Sequence, residues 1–197
     1  GIYSAKSEVL ELAKAAAESG GRYISHIRSE DVHEWEAIDE IINICRVTGM
    51  PVQVSHMKLA MVDWWGQAAK FTGKLDAARA SGVNITGDVY PYEFWQAGPT
   101  VMFPKRDFTN RASAEFALKS VAPPDGILFS AFPKDPSLVG QTLAQISAKR
   151  GTDPAQTLMD MIREDGPDEG AVVIATSMDA KDTADLVAWP QANICSE

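Results

Sequence analysis

The chain has 197 residues, with 45% hydrophobic and 23% charged side chains, the balance of an ordinary globular protein with room for a sizeable core. Its net charge of −9 argues against nucleic acid or an anionic membrane surface as partner. No apolar run is long enough to span a bilayer, and two cysteines, Cys45 and Cys195, make no disulfide framework, so a thiol-keeping cytoplasm is the simplest expectation.

Helical and strand signals alternate along the chain. Residues 7–19 carry Val9, Leu10, Leu12, Ala13, Ala16 and Ala17 at helical spacing, closed by Gly20-Gly21. A strand-like run at 22–28 follows. Residues 34–47 read as a helix from Trp35, Ile38, Ile41, Ile42 and Cys45, with Gly49 beyond the end. Strand-like 51–58, helical 65–80 and strand-like 83–92 come next. This is βα repetition with short connections, which favours a parallel sheet covered by helices.

Residues 93–170 break the rhythm with six prolines between Pro99 and Pro136. Residues 110–121 and 138–149 read as helices, 126–132 as a short extra strand, and Thr152-Asp153-Pro154 as a helix start. The stretch is expected to be an elaborated loop region over one face of the sheet. The regular pattern is then expected to return, with strand 171–176, helix 179–188 and a last strand 192–197. The chain opens on Gly1 and closes on an apolar strand, which reads as a fragment of a longer protein.

Three histidines are present. His26 and His56 each sit near the C-terminal end of a predicted strand, and one helix separates those strands. Alternate residues of a strand share a face, so Val52, Val54, His56 and Lys58 are expected to point one way, as are Ile24, His26 and Arg28. Adjacent parallel strands lie about 4.8 Å apart, so two imidazoles at matching height could share one ion. Either histidine read alone is equally a hydrogen-bonded structural residue. His33, which opens a helix, is read as exposed. Thr86, Asp88, Tyr90 and Tyr92 share a face of the third strand, where Tyr90 is an interior aromatic or a rim residue. Lys58 has the character of a surface lysine apart from its parity with His56. Arg28 and Glu30 are expected to pair locally. Trp64-Trp65 either pack a helix start or wall a pocket, and Cys45 is a helix-core thiol. The sequence has no glycine-rich phosphate loop, nucleophile elbow or CxxC.

The segments "GGRYISHIRSE", "MPVQVSHMK" and "DVYPY", in this order and with the histidines thirty residues apart, resemble the D-aminoacylase family, the N-acyl-D-amino-acid deacylases of the amidohydrolase superfamily. "YSAKSEVLELAKAAAESGG" and "TSMDAKDTADLVAWPQANICSE" add to the likeness, which is weakest over residues 97–170. The resemblance implies the C-terminal half of a (β/α)8 TIM-like barrel, strands five to eight, over residues 1–197, with an insertion at 97–170 before the last strand. The N-terminal half of the barrel would then be the partner of this chain. It implies zinc, with His26 and His56 as ligands, and a small N-acyl-amino-acid substrate whose amide bond is hydrolysed. Lys58 and Tyr90 match positions that hold the substrate carboxylate and polarise the scissile carbonyl. Glu197 stands where the family has an aspartate that serves as ligand and general base, and glutamate lengthens that side chain by one methylene. Two other readings use the same residues: an amidohydrolase acting on cyclic amides or dipeptides, and a non-catalytic barrel that binds a small ligand.

Overall fold

A computed structural model describes residues 3–166 and 170–196. The chain forms two compact units, one of residues 1–59, 64–91 and 179–197, the other of residues 60–63 and 92–178.

The first unit follows the predicted rhythm. Its elements are α1 (Lys6–Glu18), β1 (Tyr23–Ser25), α2 (Glu34–Thr48), β2 (Val52–Val54), α3 (Ala68–Ala80) and β3 (Ile85–Val89). Its remaining helix and strand, Ala180–Val187 and Ala192–Ile194, lie beyond the second unit in sequence. The four strands pair in parallel in chain order, and the register aligns Ser25, Val54, Gly87 and Ala192. One face of this sheet is apolar because Val52, Val54, Ile85 and Val89 project from it into a core shared with Ile38, Ile41, Ile42 and Cys45 of α2 and Phe71, Leu75 and Ala78 of α3. The spacing within each helix is that of a single apolar stripe. Gly49 ends α2 in the left-handed region at φ 70°, and its N–H donates to the Cys45 carbonyl, which glycine does without a Cβ penalty. The other face of the sheet is polar: Gln53 donates to Asp88 (2.5 Å) and accepts from Thr86 (3.4 Å).

Helix α3 lacks a side-chain cap at its own N-terminus. Buried Asp182 supplies one from the helix Ala180–Val187, accepting from Gly66 N–H at 2.6 Å and Ala68 N–H at 3.1 Å. One carboxylate thus satisfies two backbone donors that the helix start would otherwise leave open.

The second unit contains β4 (Phe94–Ala97), α4 (Arg111–Phe116), β5 (Ile127–Ala131), α5 (Leu143–Arg150), α6 (Pro154–Asp165) and β6 (Val172–Thr176); the last helix and strand of the first unit are accordingly α7 and β7. The expected loop region is instead a body with its own core, built on Phe103, Phe129, Ile146, Leu158, Met161 and Val173. Strand 126–132 and the helix start at Asp153-Pro154 are present, and Asp153 caps α6. The reading of 171–176 as a return to the parallel pattern is corrected: β6 is the centre of an antiparallel sheet of order β4-β6-β5. Alternating burial at Val173 and Ala175 suits a strand in either kind of sheet, and only its partners fix the direction. Among the described residues no helix is long and apolar enough to cross a membrane.

Candidate functional site

The chemistry-bearing residues of the first unit gather where β1, β2 and β3 end. His26 directly follows β1 and is largely exposed, whereas His56 lies two residues past β2 and is mostly covered. His26 Nδ1 and His56 Nε2 are 3.1 Å apart, with the rings edge to face. Two nitrogens bound to one tetrahedral zinc, each at about 2 Å, stand about 3.3 Å apart, so the pair has the spacing of a shared ion.

Simple strand parity does not produce this meeting. Val52 and Val54 face the helix-side core, and an unbroken strand would carry His56 to that side as well. The backbone instead turns at His56, which adopts φ 42°, a conformation costly for a residue with a Cβ. Asp88 holds the turn: its carboxylate accepts from His56 N–H at 2.6 Å and its carbonyl from Met57 N–H at 2.8 Å. Met57 then packs directly on Gly87, where a Cβ would collide with its side chain. A Cβ at this position of the third strand would force the Met57 side chain to shift.

Lys58 departs further from expectation. It is 6% exposed, and its ammonium lies 2.6 Å from Glu30 Oε1, 2.5 Å from His56 Nδ1 and 5.4 Å from the centre of the Tyr90 ring. Tyr90, buried just beyond β3, has its ring centre 6.4 Å from that of His56. His26, His56, Lys58 and Tyr90 are therefore brought together. Glu197 lies outside the described residues.

The expected Arg28–Glu30 pair is not formed. Arg28 grips Glu40 with two hydrogen bonds, at 2.7 and 2.6 Å, and donates to the Ser4 carbonyl at 2.7 Å. Two forked donors find two oxygens on α2, and this leaves Glu30 for the site. Glu30 Oε1 lies 3.0 Å from His56 Nδ1 and 3.5 Å from His26 Nδ1, and ligand atoms of the three residues all fall within 4.8 Å of one another. Burial alone would raise the Glu30 carboxyl, but the Lys58 ammonium, the His56 hydrogen bond and the charge of His26 outweigh it and hold it at about 2. Its neighbour Glu34, at the start of α2, is fully buried. Burial, reinforced by the Glu30 charge, pushes its carboxyl well above the ordinary range. Sequence reading gave Glu30 only a local pair with Arg28 and did not single out Glu34. The available signal was an acidic residue four positions after a strand-end histidine, which by itself is common on surfaces.

Of the tryptophans, Trp64 packs edge-on against Trp35 at 5.6 Å and donates to the Asp31 carbonyl, the packing role rather than the wall. His33 is exposed at the start of α2, and Cys45 is buried in its core face.

The parallel βα unit carries two imidazoles at its strand ends, and this α/β arrangement matches solved D-aminoacylase structures. Comparison of structures bears this out: D-aminoacylase with a binuclear metal centre superposes at a TM-score of 0.75 with 23% identity, covering 96% of this chain and 35% of that one. The N-acyl-D-glutamate deacylase of Bordetella bronchiseptica, complexed with zinc and a phosphonate mimic of the tetrahedral intermediate, superposes at 0.77 with 27% identity, covering 97% and 35%. In sequence the chain is 32% identical over 148 residues to N-acyl-D-glutamate deacylase of Alcaligenes xylosoxydans xylosoxydans, covering 75% of this chain and 27% of that protein. It is 26% identical over 190 residues to D-aminoacylase of the same organism, covering 96% and 34%. No family model matches. The chain resembles the N-acyl-D-amino-acid deacylases in sequence and in fold, and it spans about a third or less of the length of these relatives.

Proposed function

We propose that this chain is part of a zinc-dependent hydrolase that cleaves the amide bond of N-acyl-D-amino acids, releasing a carboxylate and a free amino acid. The observation that carries the reading is the 3.1 Å approach of His26 Nδ1 and His56 Nε2 at the ends of adjacent parallel strands. Two neutral imidazole nitrogens with a carboxylate close by are a donor set suited to zinc. The four parallel strands in chain order are strands five to eight of a (β/α)8 barrel, interrupted before the eighth by the antiparallel unit, and the rest of the barrel is this chain's partner. Barrel enzymes place their chemistry at the strand C-termini, where these residues lie.

His26 and His56 would hold the metal. Bound zinc supplies an acidified water and polarises the scissile carbonyl. The buried Tyr90 hydroxyl donates to the carbonyl oxygen as it gains negative charge. Lys58 fixes the free carboxylate of the substrate and so sets the amide in register with the attacking oxygen. Glu197 is the carboxylate that would take a proton from the attacking water and return it to the departing nitrogen as the carbon–nitrogen bond breaks.

The test is hydrolysis of N-acetyl-D-amino acids, their L enantiomers and a cyclic amide by the purified full-length protein, with zinc and after chelation. Zinc-dependent release of free D-amino acids is the expected result. Preference for the cyclic amide would overturn the substrate assignment, and tight binding without turnover of any of them would favour a ligand-binding barrel.

A further inference from the structure

Three polar atoms crowd together behind the two histidines: His56 Nδ1, Glu30 Oε1 and Lys58 Nζ, separated by 3.0, 2.6 and 2.5 Å. A ring nitrogen is a donor or an acceptor, never both at once. If Nδ1 accepts from Lys58, the ring proton sits on Nε2 and points at His26. That ring has no lone pair on Nε2 for an ion. If Nδ1 carries the proton, it donates to Glu30 and frees the Nε2 lone pair on the side facing His26. Beside a protonated Nδ1 the Lys58 ammonium, a donor only, must turn its own protons to Glu30 Oε1, 2.6 Å away, and a carboxylate oxygen accepts from Lys58 and from His56 together.

We propose that Glu30 is the positioning carboxylate of this site: it accepts the His56 Nδ1–H, which presents Nε2 toward His26 for a metal, and it holds Lys58 while doing so. The role rests on the zinc-centre reading above. Glu30 touches the outer nitrogen of His56 and acts through it, as carboxylates behind metal-bound histidines do. Its own placement follows from packing. Arg28 is turned to Glu40 and Ser4, and the Lys58 ammonium faces Glu30 at 2.6 Å. Lys58 is buried and Glu30 only 19% exposed, so neither the pair nor the His56 bond is dispersed by water. The assignment also explains why Lys58, two residues beyond a strand-end histidine, is buried rather than solvated.

The test uses the full-length protein and measures zinc affinity by chelator competition, together with the imidazole N–H protons by NMR. Wild type is expected to bind zinc and to show a downfield, slowly exchanging His56 Nδ1–H. Glu30→Gln is expected to weaken zinc binding about ten- to hundredfold and to move that proton upfield, with Glu30→Asp recovering part of both. Because Glu30→Gln leaves Lys58 buried without its anion, the double variant Glu30→Gln with Lys58→Met keeps the test clean. It is expected to show the same loss of affinity, while Lys58→Met alone, which keeps the carboxylate but removes the cation beside it, loses less than either Glu30→Gln protein. Unchanged zinc affinity and an unmoved proton in both Glu30→Gln proteins would overturn the role. A loss beyond about a thousandfold would make Glu30 a metal ligand and overturn it as well. Failure of the wild type to bind zinc would overturn the proposed function and this role with it, an outcome distinct from the first two.

Discussion

His56 Nε2 sits 3.1 Å from His26 Nδ1, although the two residues belong to different strands with a whole helix between them. The meeting depends on one left-handed residue and on Asp88, which holds the turn.

Removing either imbalances the same centre. In the full-length protein His56→Ala and His26→Ala should each lose zinc and turnover together, because each removes one nitrogen from a site with few ligands. Metal content after dialysis, measured beside activity, checks this. Full zinc retention with full turnover in either variant would return that residue to a structural role.

Lys58→Met should keep zinc and lower kcat/KM about ten- to hundredfold on N-acyl amino acids. A charge-assisted contact to a carboxylate is worth roughly 1.5–3 kcal/mol, and each 1.4 kcal/mol is about a factor of ten. An analogue whose carboxylate is a neutral amide should lose much less. Steady-state kinetics on both substrates decide it, and equal losses would refute carboxylate recognition.

Glu30 and Glu34 should tilt the stability of the zinc-free protein in opposite directions with pH. The Glu30 carboxyl lies at about 2, below its ordinary 4.5, so its contribution is present above 4.5 and is lost as pH falls through about 2. The shift corresponds to roughly 3 kcal/mol at most. The Glu34 carboxyl is raised, so its contribution is present below 4.5 and is lost as pH rises. Urea unfolding across pH should find Glu30→Gln less stable at neutral pH, with the gap closing in acid. It should find Glu34→Gln more stable at neutral pH, with the gap closing toward pH 4.5.

Asp182→Ala should destabilise the protein by about 1–3 kcal/mol, since it strips the acceptor from Gly66 and Ala68 N–H at the start of α3. Chemical denaturation measures the loss. Asp182→Asn, which keeps one acceptor oxygen, should lose less.

Much of the first unit was legible in the sequence. Ile38, Ile41, Ile42 and Cys45 mark one helix face, Gly49 marks its end, and the strand-end histidines repeat at the interval of one βα step. These are local signals: a residue's period and its capping neighbours are set within a few positions of the chain. Tertiary structure decided what depends on partners distant in sequence. Val172–Thr176 is as good a parallel strand as an antiparallel one until Phe94–Ala97 and Ile127–Ala131 pair with it. Glu30 and Arg28 are near neighbours with opposite charge, yet each found a better-placed partner, Lys58 and Glu40, because the strand end and α2 bring those groups within hydrogen-bond reach. The sequence by itself determined which residues could do chemistry. Their burial and orientation, and so the lysine's change from surface cation to site residue, were decided by the turn at His56 and the packing around it, since desolvation and hydrogen-bond geometry exist only once distant segments are in contact.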